Sequence, residues 1–188
     1  MSSIDESDFI TWINSLMATR LMIPIDLYFL RDSFNRTGID KMLNITPTKL
    51  EELMEFIIDD VELPDEDYDE LNKDAVEVYG LLHARFLLTE RGLNQVRDLY
   101  ENGEYGQCPR HACDGQNVLP IDAQLPPPEP NHVQIYCPKC EEIYRIGEKT
   151  KSPISGAFFG ADLPQTFFMA FPELRPKRSV HKAKCVTK

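Results

Sequence analysis

Apolar positions in the first hundred residues recur with helical spacing, and the pattern ends abruptly near Gly106. The clearest stretch follows Thr46-Pro47. Leu50, Leu53, Met54, Ile57, Ile58 and Val61 fall at i, i+3, i+4, i+7, i+8 and i+11, the stripe of a helix with one face in a core. Thr46 suits the N-cap and Pro47 the first helical position, where a missing N–H costs nothing. Upstream, Ser7 can cap a helix bearing Phe9, Ile13, Leu16 and Met17, with Trp12 beside them, and a short helix is predicted from Asp26 to Asn35, stopping near Gly38. Downstream, a helix is predicted from about Leu71 to Leu88 with Val78, Tyr79, Leu82 and Phe86 buried, and Thr89 begins another that ends near Gly103.

Beyond Gly106, proline, cysteine, glycine and short apolar segments such as Val133-Gln-Ile-Tyr136 replace the helical period. Leu125-Pro-Pro-Pro-Glu-Pro130 is too proline-rich for a helix or central strand and is predicted to be an exposed loop. The expected fold is therefore α+β, a mainly helical N-terminal lobe followed by a small β lobe. The division runs as an acidic, flexible N-terminus (1–6), a helical lobe (7–104) with an acidic loop at 59–70, a compact cysteine-bearing lobe (105–174) and a basic C-terminal tail (175–188).

Charge narrows the partners. The 188 residues carry a formal net charge of −11, which disfavours polyphosphate backbones and favours cationic partners such as polyamines and basic peptides. The acids concentrate in residues 51–74, with twelve carboxylates against Lys73. No apolar run approaches the ~20 residues that span a bilayer, and the acidic N-terminus resembles neither a secretory signal nor a transit peptide. The expected location is cytoplasmic and nuclear, with no membrane. In such a reducing setting clustered cysteines bind metal rather than pair.

Cys108 and Cys113 are separated by four residues, and Cys137 and Cys140 by two, with 23 residues between the pairs. Two such loops can close a tetrahedron of thiolates around one Zn²⁺ per chain, at ~2.3 Å per Zn–S bond. Soft thiolate also suits iron, so a rubredoxin-like centre is the chemical rival. Four sulfurs fill the shell of a zinc ion and leave no position for water, which makes the ion structural. His111 and His132 lie near the ligands and are expected to face solvent. Gly156-x3-Gly160 reads as a tight turn rather than a phosphate cradle, and His83 as a structural helix residue. With no kinase motif and no nucleophile beside a base, the chain is not expected to be an enzyme.

Several segments together carry a family resemblance. They are Tyr79-Gly-Leu-Leu-His-Ala-Arg-Phe-Leu-Leu-Thr-Glu-Arg-Gly92, Gly106-Gln-Cys-Pro-Arg-His-Ala-Cys113, Leu119-Pro-Ile121, Ile135-Tyr-Cys-Pro-Lys-Cys140, Gly156-Ala-Phe-Phe-Gly160, Phe167-Phe-Met169 and Pro172-Glu-Leu-Arg-Pro-Lys-Arg178. In this order they resemble the regulatory (beta) subunit of casein kinase II. The resemblance implies a homodimer formed through the zinc lobes, which scaffolds two catalytic subunits and tunes their stability and substrate choice. It also implies that Asp60, Glu62, Asp65, Glu66, Asp67, Asp69 and Glu70 bind polyamines or basic substrates, and that Ser2 and Ser3, each with an acid three residues on, are phosphorylated.

Departures are few. Asp122 stands where the family usually has glycine, and Gln134 where it usually has a basic residue. After Arg178 the family continues into a segment with aromatic anchors for the catalytic subunit, whereas no aromatic residue follows Phe171 here. Docking is thus the implied function with least support, and a paralogue that dimerises without docking is the alternative. A zinc-ribbon nucleic-acid binder, using Arg110, Lys139 and Arg145, is the alternative from another class.

Overall fold

The computed structural model describes residues 22–59, 65–123, 133–145 and 154–178, with the backbone alone for 65–70. The predicted helix at Ser7, Val61 of the apolar stripe, the proline-rich loop, His132, Ser2, Ser3, Asp60 and Glu62 lie outside the described residues.

The helix predicted from Asp26 to Asn35 is two pieces. Helix α1 (Leu27–Arg31) is capped by Asp26, which accepts from Phe29 N. Asp32 then takes an extended conformation and caps a separate 3-10 turn (Ser33–Arg36) by accepting from Phe34 N. An aspartate that satisfies a nearby N–H competes with helix continuation, and periodicity does not register that competition. Gly38, expected as a stop, instead begins α2 (Ile39–Leu43) from the left-handed region at φ 79.

Helix α3 (Pro47–Asp59) matches its signals. Thr46 Oγ1 accepts from Lys49 N at 3.1 Å, and Leu50, Leu53, Met54 and Ile57 are buried with Phe56 beside them. Helix α4 (Asp65–Leu87) starts earlier than Leu71. Residues 65–70 of the acidic stretch are therefore helical rather than loop. Helix α5 (Glu90–Glu101) begins at Thr89, whose hydroxyl accepts from Gly92 N and donates to Phe86 O. Among the described residues no helix is long and apolar enough to cross a membrane.

Three short antiparallel strands follow, in order β1 (Leu119–Ile121), β2 (Gln134–Cys137) and β3 (Glu142–Arg145). Leu119 pairs with Tyr136, and Cys137 with Glu142. Helix α6 (Leu163–Ala170) lies between β1 and α5. Its Phe167 and Phe168 rings meet Tyr100 at 5.2 and 5.9 Å between centroids. One apolar core therefore continues from the helices into the cysteine lobe.

The segment Tyr79–Gly92 is the hub of this packing. Tyr79 OH accepts from Ile25 N, and buried His83 accepts at Nε2 from Ile23 N. His83 Nδ1 therefore carries the proton and donates to Phe158 O at 2.6 Å. A Cβ on Gly80 would stand 2.1 Å from the Phe158 ring, so glycine is what lets the 3-10 turn Gly156–Phe158 lie against α4. The predicted tight turn at Gly156–Gly160 is this turn, closed by Gly160 N donating to Gly156 O.

Candidate metal centre

Each pair of cysteines is presented by a tight turn. Cys108 N donates to Gln116 O and Cys113 N to Arg110 O, which folds residues 108–116 onto themselves. Asp114 follows Cys113 in the left-handed region at φ 52, and Glu141 follows Cys140 in the same conformation at φ 56. Glu141 N donates to Cys137 O at 2.8 Å, closing the second turn at the junction of β2 and β3. The first turn is tied to the helical lobe through Asn117 Nδ2, which donates to Tyr100 O, and Gln116 Nε2, which donates to Tyr100 OH.

These turns bring together all four predicted ligands. The sulfurs of Cys108, Cys113, Cys137 and Cys140 lie within 4.8 Å of one another, and all four residues are buried. Cys108 and Cys140 sulfurs are 3.9 Å apart, as are those of Cys113 and Cys137. A disulfide needs about 2.05 Å, so these are thiols. Tetrahedral coordination at ~2.3 Å places sulfurs about 3.8 Å apart, and the cluster fits a tetrahedral metal ion with soft ligands.

The electrostatics agree with that fit. Burial pushes the Cys113 thiol up to about 11 and Cys137 further still. Burial acts on Cys140 the same way, but hydrogen bonds with Tyr144, Cys137 and Cys113 outweigh it and bring Cys140 down to about 7. Four thiols so close cannot all ionise unaided, and a bound cation is what would deprotonate the set. The groups around the sulfurs supply partners. Tyr144 OH lies 3.2 Å from Cys140 Sγ, Arg110 N donates to Cys108 Sγ, and Lys139 Nζ donates to Cys113 O. The exposed Arg110 guanidinium is held above its ordinary range, chiefly by its hydrogen bond with the Cys140 sulfur.

Arg110 and Lys139 are thus engaged at the cluster, and Arg145 is exposed at the end of β3. His111 is exposed, as expected. Asp65, Glu66, Asp67, Asp69 and Glu70 occupy the first turns of α4, away in sequence from the cluster. Sequence reading missed Tyr144 as a sulfur partner. Its one signal was a position four residues after Cys140, which carries no meaning until the turn and strand are known. It also left Gln134 unplaced. Gln134 is buried in β2, where a charged side chain would carry a desolvation cost.

Comparison with known proteins gives a consistent result. The family model described as casein kinase II regulatory subunit matches residues 8–186. The chain is similar to casein kinase II subunit beta' of Drosophila melanogaster, with 37% identity over 182 residues, 97% of this chain and 82% of the relative. It is also similar to casein kinase II subunit beta of Schizosaccharomyces pombe, with 33% identity over 182 residues, 95% of this chain and 78% of the relative. Against the putative casein kinase II subunit beta-4 of Arabidopsis thaliana the identity is 32% over 175 residues, 93% of this chain and 62% of the relative.

Proposed function

Because the chain belongs to the casein kinase II regulatory subunit family, we propose that it is a non-catalytic subunit of that Ser/Thr protein kinase, pairing through its metal lobe and modulating the stability and substrate choice of the catalytic subunit. The observation that carries this reading is the assembled cluster of Cys108, Cys113, Cys137 and Cys140 within a chain of this family. The ion is one structural Zn²⁺ per chain, because four thiolates complete its shell.

Pairing through the metal lobe is supported by the exposed edge of its sheet. Among the described residues strand β3 is the last of three and has no further strand beside it, Ile143 on it is 45% exposed, and Pro109, Arg110, Glu142 and Tyr144 line an open hollow of about 540 Å³ beside it. An unpaired edge with an exposed aliphatic side chain is the kind of surface that a second chain covers. The acidic stretch from Asp60 to Glu70 acts in this reading at longer range. Its carboxylates attract polyamines and basic substrate segments, an effect that salt weakens. Phosphorylation at Ser2 and Ser3 adds to the same negative field, and the work is done in the cytoplasm and nucleus.

Two measurements test the reading. In Cys137→Ser, sedimentation should show loss of dimers while far-ultraviolet circular dichroism keeps the helical signal; unchanged dimers would count against pairing through the metal lobe. Calorimetric titration of the zinc-loaded chain into the catalytic subunit should show submicromolar binding at one catalytic subunit per chain. A folded dimer that gives no heat would make this a family member that pairs without docking.

A further inference from the structure

Glu141 belongs to the turn that presents Cys137 and Cys140, and its φ of 56 is one that a glutamate holds only under constraint. Its N–H donates to Cys137 O at 2.8 Å, so the constraint comes from the cysteine turn. The carboxylate of the same residue receives two arginines from the segment after the 3-10 turn Pro172–Leu174. Arg178 Nε lies 2.9 Å from Glu141 Oε2, and Arg175 Nη2 lies 3.6 Å from Oε1. Arg175 also stands 6.0 Å from the Phe168 ring centroid, which joins that segment to α6. The glutamate side chain is 29% exposed and the Arg175 and Arg178 side chains 54% and 68%, so each pair is only partly shielded from solvent and of modest strength.

We propose that Glu141 is a latch that couples the metal centre to the basic C-terminal stretch. While the turn of Cys137 and Cys140 is held by a metal ion, Glu141 is aimed at Arg175 and Arg178 and keeps the start of that stretch against the metal lobe. When the metal is lost, the turn that carries the Glu141 N–H bond to Cys137 O loses its anchor and loosens, the carboxylate leaves, and the arginines are released. From Arg175 to Lys188 the chain carries Arg175, Lys177, Arg178, Lys182, Lys184 and Lys188 and no acid. The released stretch is a cation that seeks acidic surfaces. Metal occupancy thereby sets whether these bases are available to a partner. The proposal rests on the metal reading of the four-cysteine cluster.

Limited trypsin digestion of the full chain, with metal content measured alongside, tests it. Trypsin cuts after Lys177 and Arg178 but not at Arg175-Pro176, so mass spectrometry of the fragment beginning at Ser179 reports release of the segment. Metal-loaded Glu141→Gln should be cut there about two- to fivefold faster than the metal-loaded wild type, the range expected for partly exposed ion pairs. Arg175→Gln should shift the rate in the same direction and by less, and chelated wild type should be cut at least as fast as Glu141→Gln. Equal rates for metal-loaded wild type and Glu141→Gln, or a wild-type rate indifferent to chelation, would overturn the latch. If Glu141→Gln fails to hold metal, Arg175→Gln decides by the same criterion. A wild type that takes up no metal overturns the metal reading instead, whereas a metal-loaded wild type that fails to dimerise or to bind the kinase leaves its comparison with metal-loaded Glu141→Gln standing as the test of the latch.

Discussion

Helix α4 and strand β3 show how differently the two lobes are held. In α4, Ala75, Val78, Tyr79, Leu82, Phe86 and Leu87 are all but fully buried, and the helix packs against α3, α5 and the turn at Gly156. In β3 no residue is buried, and in β2 the buried ends are Gln134 and Cys137. A sheet of three strands this short cannot stabilise itself by apolar area. Its order depends on four sulfurs at one end and on α6 leaning against β1 at the other. The helical lobe is held by buried apolar stripes, whereas the sheet shares that core mainly through β1 and ends at the turns that carry the four cysteines.

The largest test of that contrast is metal removal. A structural zinc site contributes ~10–16 kcal/mol in comparable peptides. Chelation should therefore unfold β1 to β3 while α3 to α5 persist, seen as loss of the dispersed strand amide signals in NMR spectra with most of the helical dichroism kept. Simultaneous loss of both would show that the lobes are one cooperative unit.

A smaller effect should come from His83, which ties residues near Ile23 and Phe158 to α4. Burial lowers its pKa to about 4 from an ordinary 6.5, against the raising effect of its bond to Phe158 O. The unfolded chain therefore binds a proton that the folded chain refuses between these values. Stability from this residue is complete above pH 6.5 and is lost as pH falls towards 4, by roughly 3 kcal/mol at ~1.4 kcal/mol per pH unit. Urea midpoints across this window should fall less steeply in His83→Gln than in the wild type, and equal slopes would remove His83 from the account.

Gly80→Ala probes the junction of the two regions most finely. Its Cβ would meet the Phe158 ring, and overpacking of this kind costs about 1–3 kcal/mol. The urea midpoint should drop accordingly. Protection of amides near Phe158 should fall more than that of amides in α3; a uniform drop would mean that the turn is not a separate docking element.

Much of this architecture was legible in the chain. The stripe from Leu50 to Ile57, the caps at Thr46 and Thr89 and the spacing of the cysteines each express a local rule: helical period, a side chain satisfying a nearby N–H, two thiols per turn. Phe56, off the predicted stripe yet buried, was not legible, because a helix covered on more than one side buries residues outside its narrowest stripe. Nor was the split at Asp32, where an aspartate can cap or stay solvated, and only the surrounding packing selects. The start of α4 at Asp65 was missed because a run of acids reads equally as a solvated loop or as the first turns of a helix.

By itself the sequence determined the membership of the family, the helices that carry strong periods and the four residues able to bind a metal. All of these follow from residue type and spacing along the chain. The tertiary structure alone decided that His83 joins three segments, that Gly80 exists for the Phe158 ring, and that Glu141 faces Arg175 and Arg178. Each is a contact between residues distant in sequence, and no local rule encodes which distant surface a side chain will meet until the core has packed.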